Sequence, residues 1–436
     1  MTLFHQTGDR RWLEPPYKPA RDVRLVADPM AGFSPEVADE IRNAAFNAFV
    51  SAQTPAIRDP GDELMLEMMQ SCLGEPVSAE YSPLMREELG FISRDEGLTI
   101  PSASPDSRST PDVIIVGAGV SGIALGAQLG RLGVRYTIVE KNPEVGGTWW
   151  DNRYPGCGVD TPNHAYSFSH GTRPRWTRYF SLRDEIEGYL VRCATEFGVR
   201  ENIHFDTSVT AATFDEVTCR WTVTVVGPDG SEAKLSARIL VTAVGVLNHP
   251  KLPAIEGIDS FTGEIFHSAR WPDDADLTNK RVAVIGTGAS SMQLTPSIAE
   301  KVSALTIYQR SPQWARDIDG YRSDIDDESQ WLFENVPYYL EWFRFTMWWR
   351  YGDGLLRHLR KDPEWPHPER SLNRTNDRHR QEMTDFIQRE LDGRPDLLGK
   401  CLPSYPPYGK RILIDNGWFA TLRRPTSNSS PIRLHE

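Results

Sequence analysis

The stretch VIIVGAGVSG, residues 113–122, decides how this chain folds. A run of β-branched residues reads as a buried strand, and a glycine-rich turn then opens a helix. The glycines fall at Gly117, Gly119 and Gly122. The first allows a tight turn, the second lets backbone approach a pyrophosphate, and the third lets helix meet strand. The helix start offers free N–H groups and a partial positive charge to an anion. The next strand, YTIVE, ends at Glu140. Its carboxylate would accept hydrogen bonds from a ribose diol and repel a 2′-phosphate, so this cradle suits FAD or NAD rather than NADP. The run from Val113 to Gly130 carries no charge and is long enough to raise the question of a membrane span. Its glycines and its strand-then-turn order speak for an α/β unit instead.

A second cradle lies in VAVIGTGASS, residues 282–291, with Gly286, Gly288 and Ser291 at the corresponding places. The strand that follows ends in Gln309-Arg310-Ser311 rather than in an acid. A guanidinium at that place can grip a 2′-phosphate with paired charge-assisted bonds, so this cradle leans to NADP. The alternative is an ordinary strand–helix turn with Arg310 on the surface. Two such units predict an α/β fold with two doubly wound, Rossmann-like dinucleotide-binding domains.

Outside these units the sequence is less specific. Segments SPEVADEIRNAAFNAFVSAQ and GDELMLEMMQSCLG carry apolar residues at helical spacing, the first behind Ser34 as N-cap and the second stopped by Gly74. Residues 1–98 are therefore expected to form an N-terminal helical extension, serving as a packing element or a dimerisation surface, and 99–112 a Ser/Pro-rich linker. The first nucleotide domain is expected over 113–250 and the second over 251–411, with a Trp- and Arg-rich helical insertion at about 324–398. The tail, 412–436, is polar and shows no strand pattern.

A net charge of −12 among 436 residues disfavours nucleic acid, which needs clustered cations to neutralise phosphates. The 5 cysteines are odd in number and irregularly spaced, offering neither a disulfide framework nor a zinc site, which suits a reducing, cytoplasmic setting. No metal site and no membrane contact are expected, and the first residues lack the apolar core of a signal peptide.

One further stretch, FTGEIFHSARWP, residues 261–272, reads as a loop because Gly263 and Pro272 oppose a helix. Its residues Phe261, Gly263, His267, Trp271 and Pro272 resemble the fingerprint of Baeyer–Villiger monooxygenases within the flavin-containing monooxygenase superfamily. That resemblance implies a loop coupling two nucleotide domains, with His267 as a structural link. Other segments are similar to the same family. In GGTWWDNRYPGCGVDTP, Gly146, Gly147, Thr148 and Trp149 would lie near FAD, and Asp160 matches the acidic residue beside the flavin ring. LVTAVG, ending at Gly245, resembles a family strand, and SYPPYGKR resembles the segment carrying a phosphate-binding lysine and a catalytic arginine, here Lys410 and Arg411. By itself a Lys-Arg pair reads as a solvated patch. The N-terminal unit resembles the extension of the 4-hydroxyacetophenone monooxygenase branch. The likeness runs from about residue 35 to 424, with its best motifs between 113 and 315.

The resemblance implies FAD and NADPH as cofactors, and a ketone and O2 as substrates, with aryl ketones suggested by the branch. An ester would form by oxygen insertion. Arg411 would stabilise developing negative charge and Asp160 would orient it. Two other readings fit the same scaffold: a sulfur- or nitrogen-oxidising flavin monooxygenase, against which Trp271 speaks, and an incomplete nucleotide-binding fragment. The second arises because family members continue beyond the Lys-Arg segment with a strand and helix that complete the FAD sheet, so a shortened or altered ending is expected here.

Overall fold

The computed structural model describes residues 1–20, 30–50, 55–93, 112–171, 173–424 and 432–435. The linker expected over 99–112 lies outside them except for Asp112. The chain opens with helices α1 (Thr2–Thr7), α2 (Pro35–Val50), α3 (Gly61–Leu73) and α4 (Tyr81–Glu88). Gly74, at φ +66°, ends α3 where the sequence places its stop.

The first nucleotide unit follows as β1 (Val113–Val116), α5 (Val120–Arg131), β2 (Tyr136–Val139), α6 (Thr148–Asp151), α7 (Arg183–Glu196), β3 (Ile203–His204), β4 (Ser208–Asp215), β5 (Arg220–Val226), β6 (Glu232–Ala237) and β7 (Ile239–Thr242). Its main sheet has the order β3-β2-β1-β7 and is parallel throughout. Both faces of β1 are covered, which is why VIIV is apolar without alternation. Ile115 packs with Ile123 and Ala127 of α5, while Ile114 packs with Val223 and Val225 of an antiparallel β4-β5-β6 meander on the other face.

The second unit comprises β8 (Arg281–Ile285), α8 (Ala289–Ile298), β9 (Ala304–Tyr308) and β10 (Ala315–Arg316), then helices α9 (Asp327–Asn335), α10 (Tyr339–Tyr351), α11 (Leu356–Leu359), α12 (Arg374–Glu390) and α13 (Pro395–Cys401). It closes with β11 (Leu413–Ile414), α14 (Trp418–Leu422) and β12 (Ile432–His435). Here the structure corrects the sequence reading of a strandless tail. Ile432–His435 runs parallel to β9 at the edge of a β12-β9-β8 sheet. The segment IRLH does alternate, but at four residues the pattern is too short to stand out from a polar tail.

The outer edges of β7 and β8 pair with no described strand. Apolar side chains lie bare near them, Ile239 at 53%, Ile285 at 61%, Val246 at 95% and Leu247 at 90% exposed. Among the described residues, no helix is long and apolar enough to cross a membrane.

The N-terminal helices build their own core and share it with α10. Phe4, Met65, Met68, Met69 and Met85 cluster with Trp342 and Phe345. A buried ion pair locks this contact: Arg344 Nε lies 3.1 Å from Glu88 Oε1, with the two side chains 7% and 5% exposed. The same guanidinium donates to the His164 and Ser167 carbonyls of the first nucleotide unit. Burial lowers the pKa of Arg344, and the Glu88 carboxylate opposes that shift. Removing the carboxylate leaves a buried cation unpaired, a loss typically near 3–5 kcal/mol. Glu88→Ala should therefore lower stability in urea by about that amount. Glu88→Leu combined with Arg344→Met should recover most of it, and a double variant as unstable as the single one would show the pair is not the cause.

Candidate active site

The first glycine loop is shaped by contacts that leave no room for side chains. Gly117 sits at φ +103°, and a Cβ there would lie 2.8 Å from the Ala243 carbonyl oxygen. A Cβ on Gly122 would lie 2.0 Å from the Gly117 carbonyl oxygen, so α5 presses directly on the end of β1. Gly147 meets Gly119 back to back, its Cβ position 3.0 Å from the Gly119 Cα. The two glycine turns are joined by the Gly146 N–H donating to the Ala118 carbonyl at 3.1 Å. Together they form a side-chain-free surface at the start of α5, whose N-cap Gly119 provides no side-chain cap. Glu140 is 4% exposed, and its two oxygens accept the Ala118 N–H at 2.7 Å and the Asn142 N–H at 2.9 Å. The carboxylate thus pins the loop itself. Thr148 is exposed at the start of α6, and Trp149 is buried with its Nε1 donating to the Tyr166 hydroxyl at 3.2 Å.

The second loop is more open. Gly286 takes φ +110°, and nothing lies within 4 Å of a Cβ built on Gly286 or Gly288. Ser291 is buried in the first turn of α8. The exposed Arg310 follows β9, and Lys410 Nζ bonds Ser311 Oγ beside it. The Thr287 hydroxyl donates to the Ser311 carbonyl at 3.2 Å. Arg310 and Lys410, distant in sequence, thus flank one end of the second glycine loop. Tyr408, at φ +67°, lies two residues before Lys410, and its hydroxyl lies 2.9 Å from His379 Nδ1 on α12. Burial lowers the His379 pKa to about 3.

Asp160 lies where the two units meet. Its Oδ2 is 3.6 Å from Arg411 Nη2, with side chains 11% and 66% exposed. Its Oδ1 accepts from Gln293 Nε2 at 3.1 Å and from the Tyr321 hydroxyl at 3.2 Å. Burial pushes the Asp160 pKa up, while Arg411, Tyr321, Gln293 and Arg322 oppose the shift. The motif residues Asp160 and Arg411 are thus brought together as a charge pair. Sequence reasoning missed Gln293 and Tyr321. A glutamine in the second turn of an apolar helix could have marked a buried polar contact, whereas Tyr321 carries no local signal.

The stretch Phe261–Pro272 is a loop with a single 3-10 turn, Ser268–Arg270. His267 Nδ1 accepts the Ala269 N–H at 3.0 Å and so caps that turn. Trp271 packs edge-on against Phe266, with centroids 5.0 Å apart, while Phe261 is 62% exposed. A Cβ on Gly263 would lie 2.5 Å from the Phe261 ring, so the glycine makes room for the aromatic. Two ion pairs tie the loop to the flavin-like segment: Arg270 with Asp151 at 3.7 Å and Arg153 with Asp273 at 3.3 Å.

Two dinucleotide-type glycine loops on parallel sheets, with a charge pair joining residues of both units, define an oxidoreductase scaffold of the two-nucleotide class. Residues 114–332 match the family described as pyridine nucleotide-disulphide oxidoreductase. An uncharacterized monooxygenase of Sinorhizobium fredii is 40% identical over 98% of this chain and 64% of its own length. A Baeyer–Villiger monooxygenase of Pseudomonas aeruginosa is 40% identical over 72% of this chain and 56% of its own length. The crystal structure of OTEMO in complex with FAD and NADP is similar at a TM-score of 0.60, with 27% identity, covering 75% of this chain and 65% of that one. The chain belongs to the pyridine nucleotide-disulphide oxidoreductase family. It spans between half and two thirds of the length of the relatives named here.

The geometry separates the two loops experimentally. Gly122→Ala should destabilise the fold by at least about 1–3 kcal/mol, because its methyl group meets a carbonyl. Gly288→Ala should stay within about 1 kcal/mol of wild type. Thermal unfolding of both checks the contrast. The Asp160 carboxyl gives a second test. Its pKa is raised in the folded chain, so the unfolded chain releases that proton first as pH rises. Folding is thus favoured by this group in acid and penalised above the carboxylate's ordinary value of 3.8. Asp160→Asn should raise stability at pH 7 on the order of 1 kcal/mol, as relief of a functional site commonly does. The gain should fade toward pH 4. A gain constant with pH in melting curves would contradict this account.

Proposed function

We propose that this chain works as an FAD-dependent, NADPH-consuming monooxygenase that inserts one oxygen atom of O2 beside a ketone carbonyl to give an ester. The observation carrying this reading is the Asp160–Arg411 pair at 3.6 Å, with Asp160 also held by Gln293 of α8, the helix that starts at the second glycine loop. Such a pair meets the chief electrostatic need of the reaction, a fixed cation where negative charge develops.

The residues fit the two cofactors. The glycine turns of Gly117, Gly119 and Gly122, with Gly146 and Gly147 packed against them, would receive a pyrophosphate, and α5 starts at that surface. Glu140 would accept from the FAD ribose, and Thr148, Trp149 and Asp160 would line the flavin side. Gly286, Gly288 and Ser291 would receive the NADPH pyrophosphate. Arg310 and Lys410 would hold its 2′-phosphate, as charge-assisted donors do. The redox chemistry and the activation of O2 are supplied by bound flavin. Arg411 would present its guanidinium to the developing negative charge, and Asp160 would aim it. The loop of Phe261, Gly263, His267 and Trp271, tied to the flavin segment by two ion pairs, couples the nucleotide units.

Membership in the 4-hydroxyacetophenone branch, and with it an aryl ketone, rests on the N-terminal helices. The exposed Phe46 and Val50 of α2 favour a homodimer through that unit.

Visible absorption of the chain after incubation with FAD and gel filtration tests the proposal. A retained yellow chromophore, bleached by NADPH under nitrogen, is expected, with ester from a ketone exceeding sulfoxide from a thioether. A colourless chain that consumes no NADPH would overturn it. Arg411→Ala should still bleach but lose ester formation by about 10²- to 10³-fold, measured as product per NADPH. Normal ester yield in that variant would remove Arg411 from the mechanism.

A further inference from the structure

We infer that Gln293 is a positioning residue: it fastens α8, the helix that starts at the second glycine loop, to the Tyr154–Asp160 segment and holds Asp160 with its Oδ2 toward Arg411. This rests on the reading of the Asp160–Arg411 pair given above. Gln293 is 4% exposed. A side-chain amide can donate twice and accept twice, and here each capacity is used. Its Oε1 accepts from the Tyr154 hydroxyl at 2.8 Å and the Gly158 N–H at 3.3 Å. Its Nε2 donates to the Gly158 carbonyl at 2.9 Å and Asp160 Oδ1 at 3.1 Å. This pattern also fixes the orientation of the amide, since the reverse would face donors with donors.

The backbone reinforces the clamp. A Cβ on Gly156 would lie 2.1 Å from Ser297 Oγ and 2.6 Å from the Gln293 carbonyl oxygen, so the segment lies flush on α8. Ser297 Oγ donates to that same carbonyl at 2.9 Å. Any shift of α8 along its axis therefore moves four hydrogen bonds at once, and one of them ends on Asp160.

The charges around Asp160 make this bond consequential. Its cationic neighbours are Arg411 and Arg322. The other titratable groups facing it, Tyr154, Cys157, Tyr321 and Tyr351, all have their ionisation pushed upward by burial and stay neutral. The Gln293 N–H stabilises the ionised carboxylate against burial, and without it the proton is held more tightly.

Two variants test the inference. Gln293→Leu keeps the volume and removes the amide; Gln293→Glu keeps the shape and, when ionised, replaces a donor by a like charge. Titration of Asp160 is followed by carboxyl carbon NMR on the chain without cofactor, assigned through Asp160→Asn. In both variants its midpoint should move to higher pH, further in Gln293→Glu. With cofactors present, ester formed per NADPH should fall about 10- to 100-fold, the range seen when a supporting hydrogen-bond partner is lost, and the alkaline shift should appear in its pH profile. Either folded variant with an unmoved Asp160 midpoint and wild-type ester yield would overturn the inference. Wild-type chain that titrates as described but yields no ester would instead count against the proposed function.

Discussion

The arrangement turns on one buried carboxylate. Asp160 is taken out of water at the seam of two nucleotide units, and burial of a charge is costly unless it is paired and hydrogen-bonded. The chain meets that cost with partners from separate segments: Gln293 from α8, Tyr321 from the stretch after β10, and Arg411 from the loop before β11. Each partner lies more than a hundred residues from Asp160, so the carboxylate gathers distant parts of the chain at one point. The glycine loops, the helical insertion and the N-terminal unit can be seen as what brings those segments together.

Two layers of support surround that point. On one side Tyr408 takes a left-handed backbone conformation that an aromatic residue seldom adopts, and His379 of α12 engages its hydroxyl just ahead of Lys410 and Arg411. On the other, Arg344 of α10 binds the carbonyls of His164 and Ser167, in the loop a few residues beyond Asp160, while Glu88 neutralises it from the N-terminal unit. The insertion thus reaches the site through the Tyr408 hydroxyl and through Arg344 on backbone carbonyls, and the extension through its ion pair with Arg344.

Much of this was legible because its signal is local. The glycine spacings, the acid at Glu140, and the strands of VIIV and YTIVE are consecutive patterns, and each appears where the sequence puts it. The meeting of Asp160 with Arg411 was legible only through family likeness, since no spacing rule spans the distance between them. Gln293, Tyr321 and the Glu88–Arg344 pair escaped because a single polar residue inside an apolar helix or loop does not announce its partner. The strand Ile432–His435 escaped for a different reason: its pairing is decided by the neighbouring β9, not by its own four residues.

The bare outer margins of β7 and β8 carry a consequence of their own. Main-chain groups on such margins reward any extended peptide that comes alongside, and the uncovered valine, leucine and isoleucine side chains nearby add dehydration to the gain. Adhesion is therefore concentrated on these two margins, one in each nucleotide unit.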